Sequence, residues 1–166
     1  MPRGPASDYH RRVTAPPLSP ALAAYVEGAA AILVGSCDAD GVPEGVRGVG
    51  VQLGADRTTA TVLIPAAVAA TTLANLRANP RLAVTAADLP TFGTVQLKGM
   101  VTEVRDATAA ERPLALAYRA RFAQEFAWTG ADVLRARRVV AWPCVALALR
   151  IDAIHATAPD PRAEAP

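Results

Sequence analysis

The stretch Thr91-Phe-Gly-Thr-Val-Gln-Leu-Lys-Gly-Met-Val-Thr-Glu-Val104 carries the side chains best suited to gripping a ligand. Read with the period of two that a strand imposes, Val95, Leu97 and Val101 fall on one face and Thr94, Gln96, Lys98 and Thr102 on the other. An amide and an ammonium side by side supply directed donors and a positive charge, the chemistry of a wall for a polar or anionic ligand. The same face also reads as the solvated outside of an ordinary barrel strand. Gly99 interrupts it, as expected at a bend or where another group comes close. A second strand cation, Arg47, alternates in phase with Val49, Val51 and Leu53. A cation on an otherwise apolar face marks a barrel mouth or cleft, or an arginine snorkelling at its rim.

Other reactive side chains do not converge. His10 and His155 lie in or near the tails with no Ser, Cys or carboxylate constellation around them, which argues against a catalytic triad or a metal site. Asp38, Asp40 and Asp56 are turn residues rather than a carboxylate pair. Cys37 and Cys144 are far apart, form no Cys-x-x-Cys and have no His nearby, so both read as buried free thiols. Gly48-x-Gly50-x-x-x-Gly54 has the wrong spacing for a dinucleotide loop and runs into a turn. Arg135, Arg137 and Arg138 read as a solvated helix end, or as an attraction for an anionic ligand.

These candidates need a scaffold, and 166 residues suit one domain with a sizeable core. At 52% apolar and 19% charged the composition is that of a globular protein. A net charge of +2, with scattered arginines, excludes neither fold nor enzyme but gives no footprint for nucleic acid or an anionic membrane. No apolar run approaches the roughly 20 residues of a membrane helix. The first dozen residues lack a signal peptide's apolar core, so a cytoplasmic protein is expected. Residues 1–17 read as a disordered arm, 18–155 as the folded domain and 156–166 as a disordered tail.

Within the domain, Ser19-Pro20 starts a helix that ends at Gly28. Ala30–Cys37 is a strand, Asp38–Gly41 a tight hairpin turn, Val42–Leu53 a long Gly-rich partner strand and Thr59–Ile64 a third. Pro65 opens a helical stretch that stops at Asn79-Pro80, Arg81–Ala86 is a fourth strand and the polar-fronted segment a fifth. Thr108-x-x-Glu111 is a capping box. It leads into a helix with Leu114, Tyr118, Phe122 and Phe126 on one face, although Pro113 delays its regular start. A short helix over about 132–138 and a last strand over Val139–Ile151 complete a mainly β chain, a six-stranded antiparallel split barrel with flanking helices.

This order of elements, with Val34-Gly-Ser-Cys-Asp-Ala-Asp-Gly-Val-Pro43, Leu73-Ala-Asn-Leu-Arg-Ala-Asn-Pro-Arg-Leu-Ala-Val84 and Thr94-Val-Gln-Leu-Lys-Gly99 in place, resembles the pyridoxamine 5'-phosphate oxidase-like FMN-binding split-barrel family over about residues 19–152. The resemblance implies a homodimer with FMN in clefts between the subunits. It implies cofactor contacts from Arg47, Gly48 and Val49 on the second strand, and from Thr94, Gln96 and Lys98 on the fifth. Trp142, before the last strand, is implied in the cleft, and Thr71 and Thr72 at the phosphate. Hydroxyls at a helix start suit an anion. The family's usual phosphate-binding cation is missing, because Ala66–Thr72 contains no Lys or Arg; losing one charge-assisted contact removes about 1.5–3 kcal/mol. The expected function is therefore weak FMN binding by a flavin-dependent oxidoreductase acting on an unidentified small molecule. The alternative is a non-catalytic split barrel holding haem, a deazaflavin, another planar ligand or no cofactor.

Overall fold

The computed structural model describes residues 17–29, 31–88, 93–128 and 139–157. All but the last residue of the expected arm, the short helix over 132–138 and most of the expected tail lie outside these residues.

Helix α1 (Pro20–Gly28) starts where Ser19 Oγ accepts the Leu22 amide at 3.2 Å, with proline in the first turn. Strand β1 (Ala31–Cys37) follows and pairs antiparallel with β2 (Pro43–Gly48). The turn between them is held by Asp38, whose Oδ1 accepts the Asp40 and Val42 amides, while Gly41 takes φ +83°. Strand β3 (Gly50–Leu53) pairs with β4 (Thr59–Pro65), and a 3₁₀ turn (Ala66–Val68) leads into helix α2 (Ala70–Ala78). Strands β5 (Arg81–Ala87) and β6 (Thr94–Asp106) form the next antiparallel pair. A 3₁₀ turn (Ala109–Glu111), helix α3 (Arg112–Trp128) and strand β7 (Cys144–Ala156) complete the chain's order.

The strands form one seven-stranded sheet in the order β2-β1-β5-β6-β7-β4-β3. Its two edge strands, β2 and β3, are consecutive in the chain, so the sheet curls into a half-barrel whose edges are joined through Val49. The Val49 amide donates to the Leu63 carbonyl of β4 at 2.8 Å. The single strand expected over Val42–Leu53 is thus two strands, which makes seven rather than six. The break is closely packed: a Cβ on Gly48 would meet the Ile32 methyl at 2.5 Å, which would have to shift, and one on Gly50 would press on Leu114 at 3.0 Å. The break also ends the alternation: Val49 and Val51 are buried, so Arg47 does not share a face with them as the period of two suggested.

The core lies inside the curl, where Ile32, Val34, Val84, Val95, Leu97, Leu147, Leu149 and Ile151 are all essentially inaccessible. Helix α3 packs on it through Tyr118, Phe122 and Phe126, with successive rings 6.2 and 5.4 Å apart. The capping box is present, the Thr108 amide donating to Glu111 Oε2 at 2.7 Å, and α3 begins only at Arg112 after the 3₁₀ turn. Strand β7 begins at Cys144 rather than Val139 and runs on to Ala156 rather than stopping at Ile151. Pro143 has no amide to donate to a ladder, and a bulge opposite Lys98/Gly99 carries the strand past Asp152. Cys144 is buried as expected and Cys37 only half-buried.

Candidate functional site

The register sorts the sheet's side chains into an inner and an outer face. Ile32, Val34 and Ser36 of β1 point inward, together with Val84 of β5 and Val95 and Leu97 of β6. Their alternates point outward. Arg47, Leu33, Thr85, Gln96 and His155 form one transverse row across β2, β1, β5, β6 and β7. Gly45, Gly35, Ala83, Lys98 and Ala153 form the row beside it.

This outer face is where the fifth strand's polar residues stand. Gln96 donates its amide to Thr85 Oγ1 at 2.9 Å, which fixes the amide's orientation. Lys98 is exposed, and its ammonium has no partner among the described residues. Its neighbours across the sheet are too small to shield it. The Thr94 hydroxyl is engaged with that of Thr157 at 2.7 Å. Thr102 leaves the row, because the ladder shifts register between Val101 and Glu103. The glycine at 99 allows a close approach, a Cβ there lying 1.8 Å from the Arg150 carbonyl oxygen.

Arg47 also starts from the outer face, but its guanidinium is committed. It lies over the Phe122 ring at 4.4 Å and donates to the Tyr118 hydroxyl at 3.3 Å. Gly48 and Val49 are buried, and the Val49 amide is spent on the Leu63 carbonyl, so neither residue is open to a ligand in one copy of the chain. Trp142 packs partly against the core, joined by a cis peptide to Pro143, whose carbonyl accepts the Ala66 amide at 2.9 Å. That contact sets Pro143, and Trp142 before it, beside the lead into α2.

The α2 end is built differently. Thr71 is exposed, while Thr72 is fully buried and donates to Glu44 Oε2 at 2.9 Å. The same oxygen accepts from Ser36 Oγ at 3.1 Å, and Asn75 Nδ2 donates to Ser36 Oγ at 3.0 Å. Glu44 pairs with Ser36 on the inner face of the β1–β2 hairpin. The threonines therefore attach to the inner side of the sheet and Gln96 and Lys98 to the outer side. Within one copy of the chain the two sets thus start from opposite sides of the sheet.

The donor set at α2 does not suit a phosphate ester. No cation stands in Ala66–Ala78 before Arg77 in the last turn, the buried threonine hydroxyl is spent, and the charge present is a carboxylate. Two like charges 4 Å apart at an effective dielectric near 20 repel by about 4 kcal/mol. The outer face does suit the edge and plane of a flat polar ring.

Two features escaped the sequence. Nothing in Pro43-Glu-Gly45 links Glu44 to a helix nearly thirty residues on. The sequence puts His155 near the tail, yet β7 carries it beside Gln96, exposed on the outer face. The bulge at Asp152 moves the inward phase from Leu149 and Ile151 to Ile154, which hides the strand's continuation from a period-two reading. Burial raises the Cys144 thiol to about 11. It donates to the Ala141 carbonyl at 3.1 Å and stays protonated at neutral pH, so it offers no nucleophile. Among the described residues no three His, Cys, Asp or Glu converge as a metal site, and no helix is long and apolar enough to cross a membrane. Residues 129–138, with Arg135, Arg137 and Arg138, lie outside the described residues.

Solved structures share this architecture at low identity, which speaks to the fold alone. A candidate pyridoxamine 5'-phosphate oxidase from Lactobacillus delbrueckii superposes with a TM-score of 0.53 at 15% identity, covering 86% of this chain and 97% of that one. HupZ from Group A Streptococcus gives 0.52 at 14%, covering 84% and 94%. An F420 reductase gives 0.51 at 14%, covering 80% and 94%. No curated protein matches the chain in sequence. The family model of pyridoxamine 5'-phosphate oxidase matches residues 18–156, nearly the whole described fold, and the chain belongs to that family.

Proposed function

We propose that this chain binds a flavin with its ring against the outer face of β1, β5 and β6, and that it acts as a flavin-dependent oxidoreductase on a small molecule. The observation that carries the reading is the Lys98 ammonium, without a partner among the described residues, beside the Gln96 amide, which Thr85 orients, next to Gly35 and the small side chains of Ala83 and Ala153. Together they offer a flat surface with a cation and a directed amide at its edge, the features a planar polar ring needs. His155 lies on the same row and is the titratable group best placed to exchange a proton with a ligand there. Because the α2 threonines attach to the sheet's other side, a homodimer is part of the reading: a second copy supplies the opposite wall.

A second reading, a binding protein without turnover that holds haem, a deazaflavin or another planar ligand, is favoured by one observation: the start of α2 presents Glu44 and no cation.

Flavin fluorescence titration tests the reading. Saturable quenching is expected with wild type. Lys98→Ala should weaken it by one to two decades, the worth of one charge-assisted contact of about 1.5–3 kcal/mol. Absence of saturable binding by any flavin would remove the oxidoreductase reading.

A further inference from the structure

Glu44 is a half-buried carboxylate with no ion pair among the described residues. Its Oε2 accepts from Thr72 and Ser36, both buried, and Asn75 completes the network through Ser36. Its other oxygen, Oε1, carries no hydrogen bond to a described residue. Thr71, which precedes Thr72 in the helix, is exposed. The place where the family fold implies a phosphate is therefore an acceptor site, with a negative charge held in place by two hydroxyl donors.

We propose that Glu44 makes this end of the cleft select a flavin whose side chain ends in neutral hydroxyls and reject its phosphate ester. The inference rests on the flavin reading above. A hydroxyl on the ligand's tail can donate to Oε1 in a charge-assisted bond. A phosphate monoester, carrying −1.5 to −2 charges at neutral pH, would instead face the carboxylate with no cation to offset it. Within one copy Lys98 cannot serve as that cation, because it projects from the sheet's outer face while Glu44 projects from the inner one, and in the homodimer of the flavin reading the other copy's Lys98 stands at the ring's edge rather than at the tail.

The test compares riboflavin and FMN as ligands of wild type, Glu44→Gln and Glu44→Lys, by fluorescence quenching. Glu44→Gln preserves the shape and both acceptor bonds, and circular dichroism checks that each variant folds. In wild type, riboflavin is expected to bind about tenfold or more tighter than FMN, the order of one charge-assisted contact. Glu44→Gln should bring the two ligands toward parity, and a folded Glu44→Lys should reverse the order. Wild type that binds FMN as tightly as riboflavin, or tighter, overturns the inference while leaving the flavin reading intact. A riboflavin preference that Glu44→Gln leaves unmoved also overturns it. Binding of neither ligand defeats the flavin reading, and the inference with it.

Discussion

Arg105 and Glu111 form a closed ion pair, the guanidinium donating to both carboxylate oxygens at 2.8 and 2.7 Å while the Thr108 amide and hydroxyl bond the same carboxylate. The guanidinium, with help from Thr108, holds the Glu111 carboxyl down to about 2, against an ordinary 4.5. A folded-state value below the unfolded one stabilises the native state fully above about pH 4.5 and fades as pH falls toward 2. Arg105→Ala should therefore lower Tm at pH 7 by roughly 2–4 °C, the scale of a partly exposed pair, and the gap to wild type should close near pH 2. Thermal melts at the two pH values check this; a gap that is constant with pH would mean the pair contributes nothing. Lys98 and Glu44 lack such a partner among the described residues.

At the scale of elements, the bulge in β6 and β7 depends on Gly99. Gly99→Ala would drive a methyl into the Arg150 carbonyl, whereas Gly45→Ala meets nothing within 4 Å. The first should cost about 3 kcal/mol or more in urea unfolding and the second about 1 kcal/mol at most. Equal costs would show that the ladder shifts freely at this point. The same elements mark what the sequence could convey. Ser19-Pro20, Asp38–Gly41 and Thr108-x-x-Glu111 are local signals whose chemistry needs only near neighbours, and each forms as read. The polar front of β6 was legible for the same reason, since Thr94, Gln96 and Lys98 alternate strictly with Val95 and Leu97. What was not legible depends on distant chain. The break at Val49 is set by the Leu63 carbonyl, the commitment of Arg47 by Phe122, and the role of Glu44 by Thr72. Each partner stands at a separation that no local period encodes.

For the whole molecule, the outer face poses the question of cover. Leu33 stands in its main row at 52% exposure, between Arg47 and Thr85. A large apolar side chain centred on a row of candidate ligand donors is the feature a second copy would bury. Light scattering should accordingly find a dimer at micromolar concentration, and Leu33→Glu should give a folded monomer with flavin binding weakened about tenfold or more. A wild-type monomer would leave each face open and remove the composite cleft. The seam between the half-barrel's edges has its own consequence. No ladder pairs β2 with β3, and the Val49 amide, bonded to Leu63 and wholly buried, sits at that crossing. Its protium is released to heavy water only when the curl opens, so its exchange rate is a clock for whole-molecule unfolding rather than for local fraying. If Val49 exchanges with the slowest amides of β6 and β7, the seven strands open as one unit; if it exchanges much sooner, the barrel breathes along that seam while the rest of the sheet stays shut.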